Sequence, residues 1–182
     1  MLAIRLEKTS DVAAREALLD AACGAVRFEK PSHRLRSGRP ARGLSFVAIE
    51  DGRVVGTVRL WDVTAGSDRP ALLLGPLAVD PARQRRGIGT ALMHHAMRAA
   101  ARRGHRAVLL VGDAPYYGRF GFSTDRTAGL WLPGLAGKSR LLGCELVPGA
   151  LDRACGAIRV PRTLERTPLM AASGRTLEPQ AA

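Results

Sequence analysis

The sequence predicts an α/β fold, with helices packed on a central mixed sheet. Three observations carry this. Asp51-Gly52 separates two apolar runs, Ser45 to Glu50 and Arg53 to Leu60, which is the strongest short-range signal for a β-hairpin. Gly87 to Arg103 carries Ile88, Ala91, Leu92, Ala96 and Ala99 at helical spacing and stops at Gly104. Ala107 to Val111 follows as an unbroken apolar run, suited to a parallel strand buried on both faces. The order strand, helix, hairpin, then strand–helix–strand, is not a regular βαβ repeat.

The elements follow in order. Leu2 to Leu6 alternates and predicts a first strand. Ser10 is placed to cap a helix from about Asp11 to Cys23. Ala25 to Gly43 holds Pro31, Pro40, Arg34, Arg36, Arg39 and Arg42, and predicts a mobile basic loop with room for a short helix. After the hairpin comes a strand from Ala71 to Val79, where Gly75-Pro76 predicts a bulge because proline cannot donate to the ladder. Tyr116 to Phe122 predicts a short helix ending at Gly121. Leu130 to Leu132, Glu145 to Val147 and Ala157 to Val160 are the remaining strands. Residues 1–164 are expected to form one domain, and residues 165–182 a polar, flexible tail.

Composition narrows the function. The chain has 182 residues, 46% of them hydrophobic, which suffices for one ordinary core. No apolar run reaches the ~18 residues that span a bilayer. The start, MLAIRLEKTS, lacks a signal-peptide pattern, so a cytoplasmic protein without membrane attachment is expected. Cys23, Cys144 and Cys155 are far apart and suggest neither a metal site nor disulfides; they are expected as small buried residues. His94 and His95 are adjacent on a helix, so their side chains diverge and one faces out. The net charge is +12, almost all from arginine, with lysine only at Lys8, Lys30 and Lys138 and no asparagine. Such a composition follows from GC-rich coding and explains part of the charge without a partner. A polyanion or an anionic small ligand would use the rest.

The chemistry lies in Leu77-Ala78-Val79-Asp80-Pro81-Ala82-Arg83-Gln84-Arg85-Arg86-Gly87-Ile88-Gly89-Thr90. A strand ends, a basic loop with two glycines follows, and a long helix begins. Free N–H groups and the helix dipole favour an anion there, so a phosphate or pyrophosphate site follows. The P-loop pattern is absent because no lysine stands near Gly87 or Gly89. The dinucleotide fingerprint fails because Leu92 takes the third glycine position.

The remaining pattern, Gln84-Arg85-Arg86-Gly87-Ile88-Gly89, resembles the acyl-CoA loop of the GNAT superfamily of N-acetyltransferases. Tyr116-Tyr117-Gly118-Arg119-Phe120-Gly121-Phe122 resembles a second signature of that family, in a form typical of one bacterial subgroup. The resemblance covers the element order from Leu2 to Val160 and is residue-specific from Leu77 to Phe122.

It implies acetyl-CoA as cosubstrate, no metal, and direct transfer of the acetyl group to a primary amine. The strand Leu72–Val79 would splay from its parallel neighbour Ala107–Val111. Leu77, Ala78 and Val79 would lie along the pantetheine arm, with backbone groups of Leu77 and Val79 pairing to it. Backbone N–H groups from Gln84 to Thr90, through Arg85, Arg86, Gly87, Ile88 and Gly89, would cradle the pyrophosphate, with arginine side chains near it or the ribose phosphate. The Val79 N–H would stabilise the oxyanion and Tyr117 would protonate the departing thiolate; alternatively Tyr117 packs the cofactor and holds a water.

The chain departs from the broad family in having no asparagine before the tyrosine and no acid on the splayed strand. No general base is therefore named; Glu50, Asp80 and Asp113 are the nearby acids, with Asp80 read as a turn or cap residue and Glu50 as a hairpin residue. The basic segment after the first helix would be solvated charge or line the acceptor site, and Trp131 would pack the sheet or wall that site. The acceptor is a small-molecule or protein amine, the assembly a monomer or homodimer, and nucleic acid is disfavoured as a partner. The rivals are a catalytically degenerate CoA-binding or regulatory domain and a basic RNA- or ribosome-associated protein.

Overall fold

The computed structural model describes residues 1–36, 38–137 and 139–161. The tail expected over 165–182 lies outside the described residues. The elements are β1 (Leu2–Leu6), α1 (Val12–Cys23), β2 (Ser45–Glu50), β3 (Arg53–Ala65), β4 (Arg69–Val79), α2 (Ile88–Arg102), β5 (Ala107–Val111), α3 (Ala114–Tyr117), β6 (Leu130–Trp131), β7 (Leu141–Glu145) and β8 (Gly156–Arg159).

The main sheet runs β1-β2-β3-β4-β5-β7. Its neighbours pair antiparallel except β4 and β5, which run parallel, and β8 joins the far end of β3 while pairing parallel with β6. The sheet is therefore mixed, as the sequence predicts.

Both faces of the central strands are covered, and the period-two alternation sorts their side chains. On β4, Leu72 and Leu74 enter the core under α2, while Ala71 and Leu73 enter the opposite core with Trp61, Leu109 and Ile158. On β5, Val108 and Leu110 take the first core, Ala107 and Leu109 the second. Helix α2 seals the first with Ile88, Leu92, Met93, Ala96, Ala99 and Ala100. His94 is exposed and His95 lies against Phe46, so the adjacent pair does diverge.

Several local expectations are corrected. Ser10 is exposed and caps nothing; a 3-10 turn over Thr9–Asp11 precedes α1. Asp11 stands at the N-cap position of α1 but caps none of its N–H groups; its carboxylate instead accepts the Lys8 N–H at 2.7 Å and both Arg5 terminal nitrogens at 2.6 and 2.9 Å, which fixes the turn before the helix. The basic segment contains two 3-10 helices, Ala25–Phe28 and Pro31–Leu35. The strand expected at Glu145 to Val147 is β7, four residues earlier. Glu145 ends it, because its carboxylate accepts the N–H groups of Gly149 and Leu151 at 3.2 and 2.8 Å and turns the chain. The helix expected at Tyr116 to Phe122 starts earlier, as α3, and tightens to a 3-10 turn over Gly118–Phe120 before Gly121. Trp131 pairs with Ala157 of β8 but is 50% exposed, so it is not one of the buried core residues. Among the cysteines, Cys155 is exposed and Cys23 and Cys144 are half-buried, so none is a core residue. No helix among the described residues is long and apolar enough to cross a membrane.

Candidate active site

Strands β4 and β5 part in the middle of the sheet. They pair only at Leu72↔Val108 and Leu73↔Leu109. Beyond Leu73, β4 continues alone on β3, and β5 continues on β7. The cause is local. The β3–β4 register shifts between Val58 and Leu60, opposite Gly75-Pro76, which places the predicted bulge there. The buried Trp61 Nε1–H donates to the Gly75 carbonyl at 2.8 Å and holds the bent segment against β3.

The bend leaves a polar edge on β4. The Asp80 N–H donates to the Val55 carbonyl at 2.9 Å. Backbone groups alternate sides along a strand, so those of Ala78 face β3 while those of Leu77 and Val79 face the gap left by β5. A bound chain can pair there as an added strand.

Two adjacent clefts occupy the gap. One, of about 560 Å³, lies at the N-terminus of α2 and is lined by Val79, Arg83, Gln84, Arg85, Gly87, Ile88, Gly89, Thr90, Tyr116 and Arg119. The other, of about 440 Å³, lies between the parted strands and includes Gly75, Leu77, Gly112, Tyr117, Arg36 and Asp113. Tyr116 and its neighbours separate them, since Tyr116 lines both.

The loop into α2 has the geometry of an anion cradle. Asp80 accepts the Ala82 N–H at 2.9 Å and starts a 3-10 turn over Pro81–Arg83, the cap role the sequence predicts. Arg85 adopts φ 62° and Gly87 φ 80°, both left-handed. For a non-glycine residue that conformation is strained and marks a loop whose shape matters. A Cβ on Gly89 would stand 3.3 Å from the Tyr116 hydroxyl, so glycine keeps this wall of the cleft open.

The arginines divide by task. Arg83 and Arg86 are both held by Glu50, at 2.8 and 3.0 Å, and Arg83 also by Asp80 at 2.7 Å. This clamp, with Arg83 the stronger partner, lowers the Glu50 pKa and fastens the loop to the hairpin. Arg86 and Ala78 do not line the first cleft, and Leu77 lines the second. Arg85 lines the first cleft, joined by Arg119, which stacks over the Tyr116 ring at 4.3 Å and donates to the Tyr116 carbonyl at 2.9 Å. Arg119 stands inside the Tyr116–Phe122 motif, where spacing alone gives it no role.

Tyr117 lies across the second cleft from β4, packed edge-on to Tyr116 and Phe122. Its ring lies against Gly112, where a Cβ would stand 2.2 Å from the ring edge. In the sequence, Gly112 carries no signal beyond a glycine closing an apolar strand. Burial foremost raises the Tyr117 pKa above the ordinary 10.0, with Tyr116 adding and Arg36 and Arg140 opposing. The phenol stays protonated at neutral pH and faces the gap. Asp113 is the one carboxylate lining this cleft among the described residues.

The chain matches the acetyltransferase (GNAT) family over residues 14–122. It is 34% identical over 122 residues to the uncharacterised N-acetyltransferase YhbS of Escherichia coli K12, covering 65% of this chain and 72% of that one. An uncharacterised N-acetyltransferase of Streptomyces avermitilis is 35% identical over 97 residues, a stretch that spans only 23% of its length and 50% of this chain. The crystal structure of Escherichia coli YhbS in complex with CoA superposes with a TM-score of 0.74 at 28% identity, covering 88% of this chain and 89% of that one. A GNAT family acetyltransferase from Brucella melitensis in complex with acetyl-CoA superposes with a TM-score of 0.68 at 27% identity, covering 89% and 97%. On the match to more than half of its length, and in agreement with the parted strands and the loop into α2, this chain belongs to the GNAT acetyltransferase family.

Proposed function

We propose that this protein transfers an acetyl group from acetyl-CoA to a primary amine by direct attack in a ternary complex, and that it falls in the bacterial subgroup with the Tyr-Tyr-x-Arg-Phe-Gly-Phe motif. The observation that carries this is the continuity of three features along one gap. They are the strained loop at the N-terminus of α2, the free backbone edge at Leu77 and Val79, and the protonated Tyr117 facing that edge.

The residues fit acetyl-CoA. Amides from Gln84 to Thr90 and the α2 dipole would hold the pyrophosphate, with Arg85 and Arg119 beside it and Arg83 in the same cleft held by Glu50 and Asp80. Arg86 would act through its backbone, its side chain being held by Glu50. Leu77 and Val79 would pair with the pantetheine arm, and the side chain of Ala78 would pack beneath it. Acetyl-CoA supplies an activated thioester whose carbonyl a neutral amine can attack. The Val79 N–H donates to the carbonyl oxygen as charge develops there, and does so from a preorganised strand. Tyr117 gives its proton to the sulfur as the C–S bond breaks. Asp113, exposed at the mouth, takes the amine's proton directly or through water.

Titration calorimetry with acetyl-CoA, with free CoA and NADH as controls, tests the reading. Saturable binding of acetyl-CoA at micromolar affinity and no binding of NADH are expected. Folded protein that binds no CoA species at low salt would overturn the reading and favour the basic RNA-associated alternative.

A further inference from the structure

One charged group in the second cleft has no role in handling acetyl-CoA. Arg36 follows the 3-10 helix Pro31–Leu35, and Leu35 is anchored in the core that also holds Trp61 and Leu73. The anchor directs the guanidinium over Gly75, where a Cβ would stand 2.7 Å from an Arg36 terminal nitrogen. This is the segment that Trp61 pins and where β4 leaves β5. The Arg36 Nε is buried and has no hydrogen-bond partner among the described residues. No carboxylate among them lies within ion-pair distance of Arg36, and the α1 acids Glu16 and Asp20 are each held by Arg27 at 2.7 Å. Burial lowers the Arg36 pKa to about 10, which leaves it charged at neutral pH.

A partly buried guanidinium whose Nε is unpaired, with no anion beside it, is costly unless a ligand completes it. The surroundings say which ligand. Lys30 and Arg140 also line this cleft, and Asp113 is the only acid lining it among the described residues. Such a lining repels polyamines and lysine-rich peptides. It suits an amine that carries its own negative charge. Leu74, Pro76, Leu77 and Leu110 supply an apolar wall for the body of the molecule. Gly75 lies two residues before Leu77, at most about 7 Å away because the strand bends between them. That span fits an amine near Leu77 with a carboxylate one or a few bonds away, and a planar guanidinium pairs with a carboxylate through two parallel hydrogen bonds.

We propose that the acceptor is an aminocarboxylate, a free amino acid or a close relative, whose carboxylate is bound by Arg36. This rests on the acetyltransferase reading for the role of the cleft, but its test does not depend on turnover. The protein saturated with free CoA is titrated with a panel of L-amino acids and γ-aminobutyrate, with the matching amides, and with 2-aminoethyl phosphate. At least one amino acid is expected to bind tenfold or more tighter than its amide. In Arg36→Gln that preference is expected to vanish, with acid and amide binding within about twofold of each other, and Arg36→Lys to restore part of it. Acetyl-CoA affinity and melting temperature, measured on each variant, show that the fold and the cosubstrate site persist. An acid preference that survives in Arg36→Gln overturns the proposal, as does equal binding of acids and amides. So does failure of every amino acid to bind. Tighter binding of 2-aminoethyl phosphate than of any amino acid overturns the carboxylate assignment. Amino-acid binding without acetyl-CoA binding would overturn the acetyltransferase reading and leave Arg36 as an aminocarboxylate site. Acetyl-CoA binding without amino-acid binding would do the reverse.

Discussion

Tyr117 and Arg36 show how differently two residues of one cleft can be read. Tyr117 was legible in the sequence, because its spacing to Gly121-Phe122 resembles the family motif. What the sequence left open was its surroundings. The structure adds that its ring lies on Gly112 and that burial keeps the phenol protonated. Tyr117→Phe is expected to lower kcat about a hundredfold or more while acetyl-CoA affinity stays within twofold, as steady-state kinetics and calorimetry would read. Wild-type turnover in that variant would assign Tyr117 to packing. With the raised pKa, the loss of rate from Tyr117 ionisation falls above pH 10.0, so kcat is expected to hold across neutral and mildly basic pH. Arg36 was one of five arginines between Ala25 and Gly43, and nothing in the chain distinguished it from Arg34, Arg39 or Arg42. Its direction depends on Leu35 being buried and on where β4 bends, and both are non-local.

Among the elements, the N-termini of the two long helices are the clearest contrast. That of α2 was legible, since glycines, a cap residue and helical periodicity follow one another within a few residues. Replacing Gly87 and Gly89 with valine is expected to abolish acetyl-CoA binding with the circular dichroism spectrum retained. Gly87 needs its left-handed φ, and Gly89 needs the space before the Tyr116 hydroxyl. Unchanged affinity in the folded variant would refute the loop assignment. The start of α1 was not legible, because Asp11 at its N-terminus turns its carboxylate back to the Lys8 N–H and to Arg5 on the first strand. Arg5 foremost, then the Lys8 N–H, hold the Asp11 pKa at about 2. A carboxyl depressed in the folded state stabilises above its unfolded pKa, and that contribution disappears as pH falls through the folded one. Asp11→Asn is therefore expected to cost about 1–2 kcal/mol at pH 7, reduced from the full linkage value because Arg5 is partly exposed. Urea titrations from pH 7 to pH 2 would check it, and the wild-type protein should lose this difference between about pH 4 and pH 2.

At the level of the whole molecule, acetyl-CoA should act as a clamp across the parted sheet. Its proposed contacts come from β4, the loop into α2, and α3 with the turn after it. A ligand that binds only the folded state stabilises it by about 2.7 kcal/mol at a hundred times its dissociation constant. For a domain of this size that is a rise in Tm of about 5–10 °C, measurable by scanning fluorimetry. No shift at that concentration would count against the cleft as its site. The net charge of +12 is also a whole-molecule property, and the structure shows part of it committed internally. Arg5, Arg15, Arg27, Arg59, Arg83 and Arg86 all bind carboxylates, several of them to fasten one element to another.

The sequence by itself determined the mixed α/β class, the hairpin at Asp51-Gly52, the bulge at Gly75-Pro76, helix α2 and the loop before it. These are written in short-range patterns, because turn chemistry, helical periodicity and β-branching act over a few residues. It also carried the resemblance to the family, through two motifs about thirty residues apart. Only the tertiary structure decided which arginines face the gap and which are held by Glu50, how far β4 and β5 stay paired, and where β7 begins. Each of these depends on contacts between residues far apart in the chain. The indole of Trp61 on Gly75, Glu50 on two arginines of a distant loop, and Arg36 over the bent strand leave no periodic trace in the sequence.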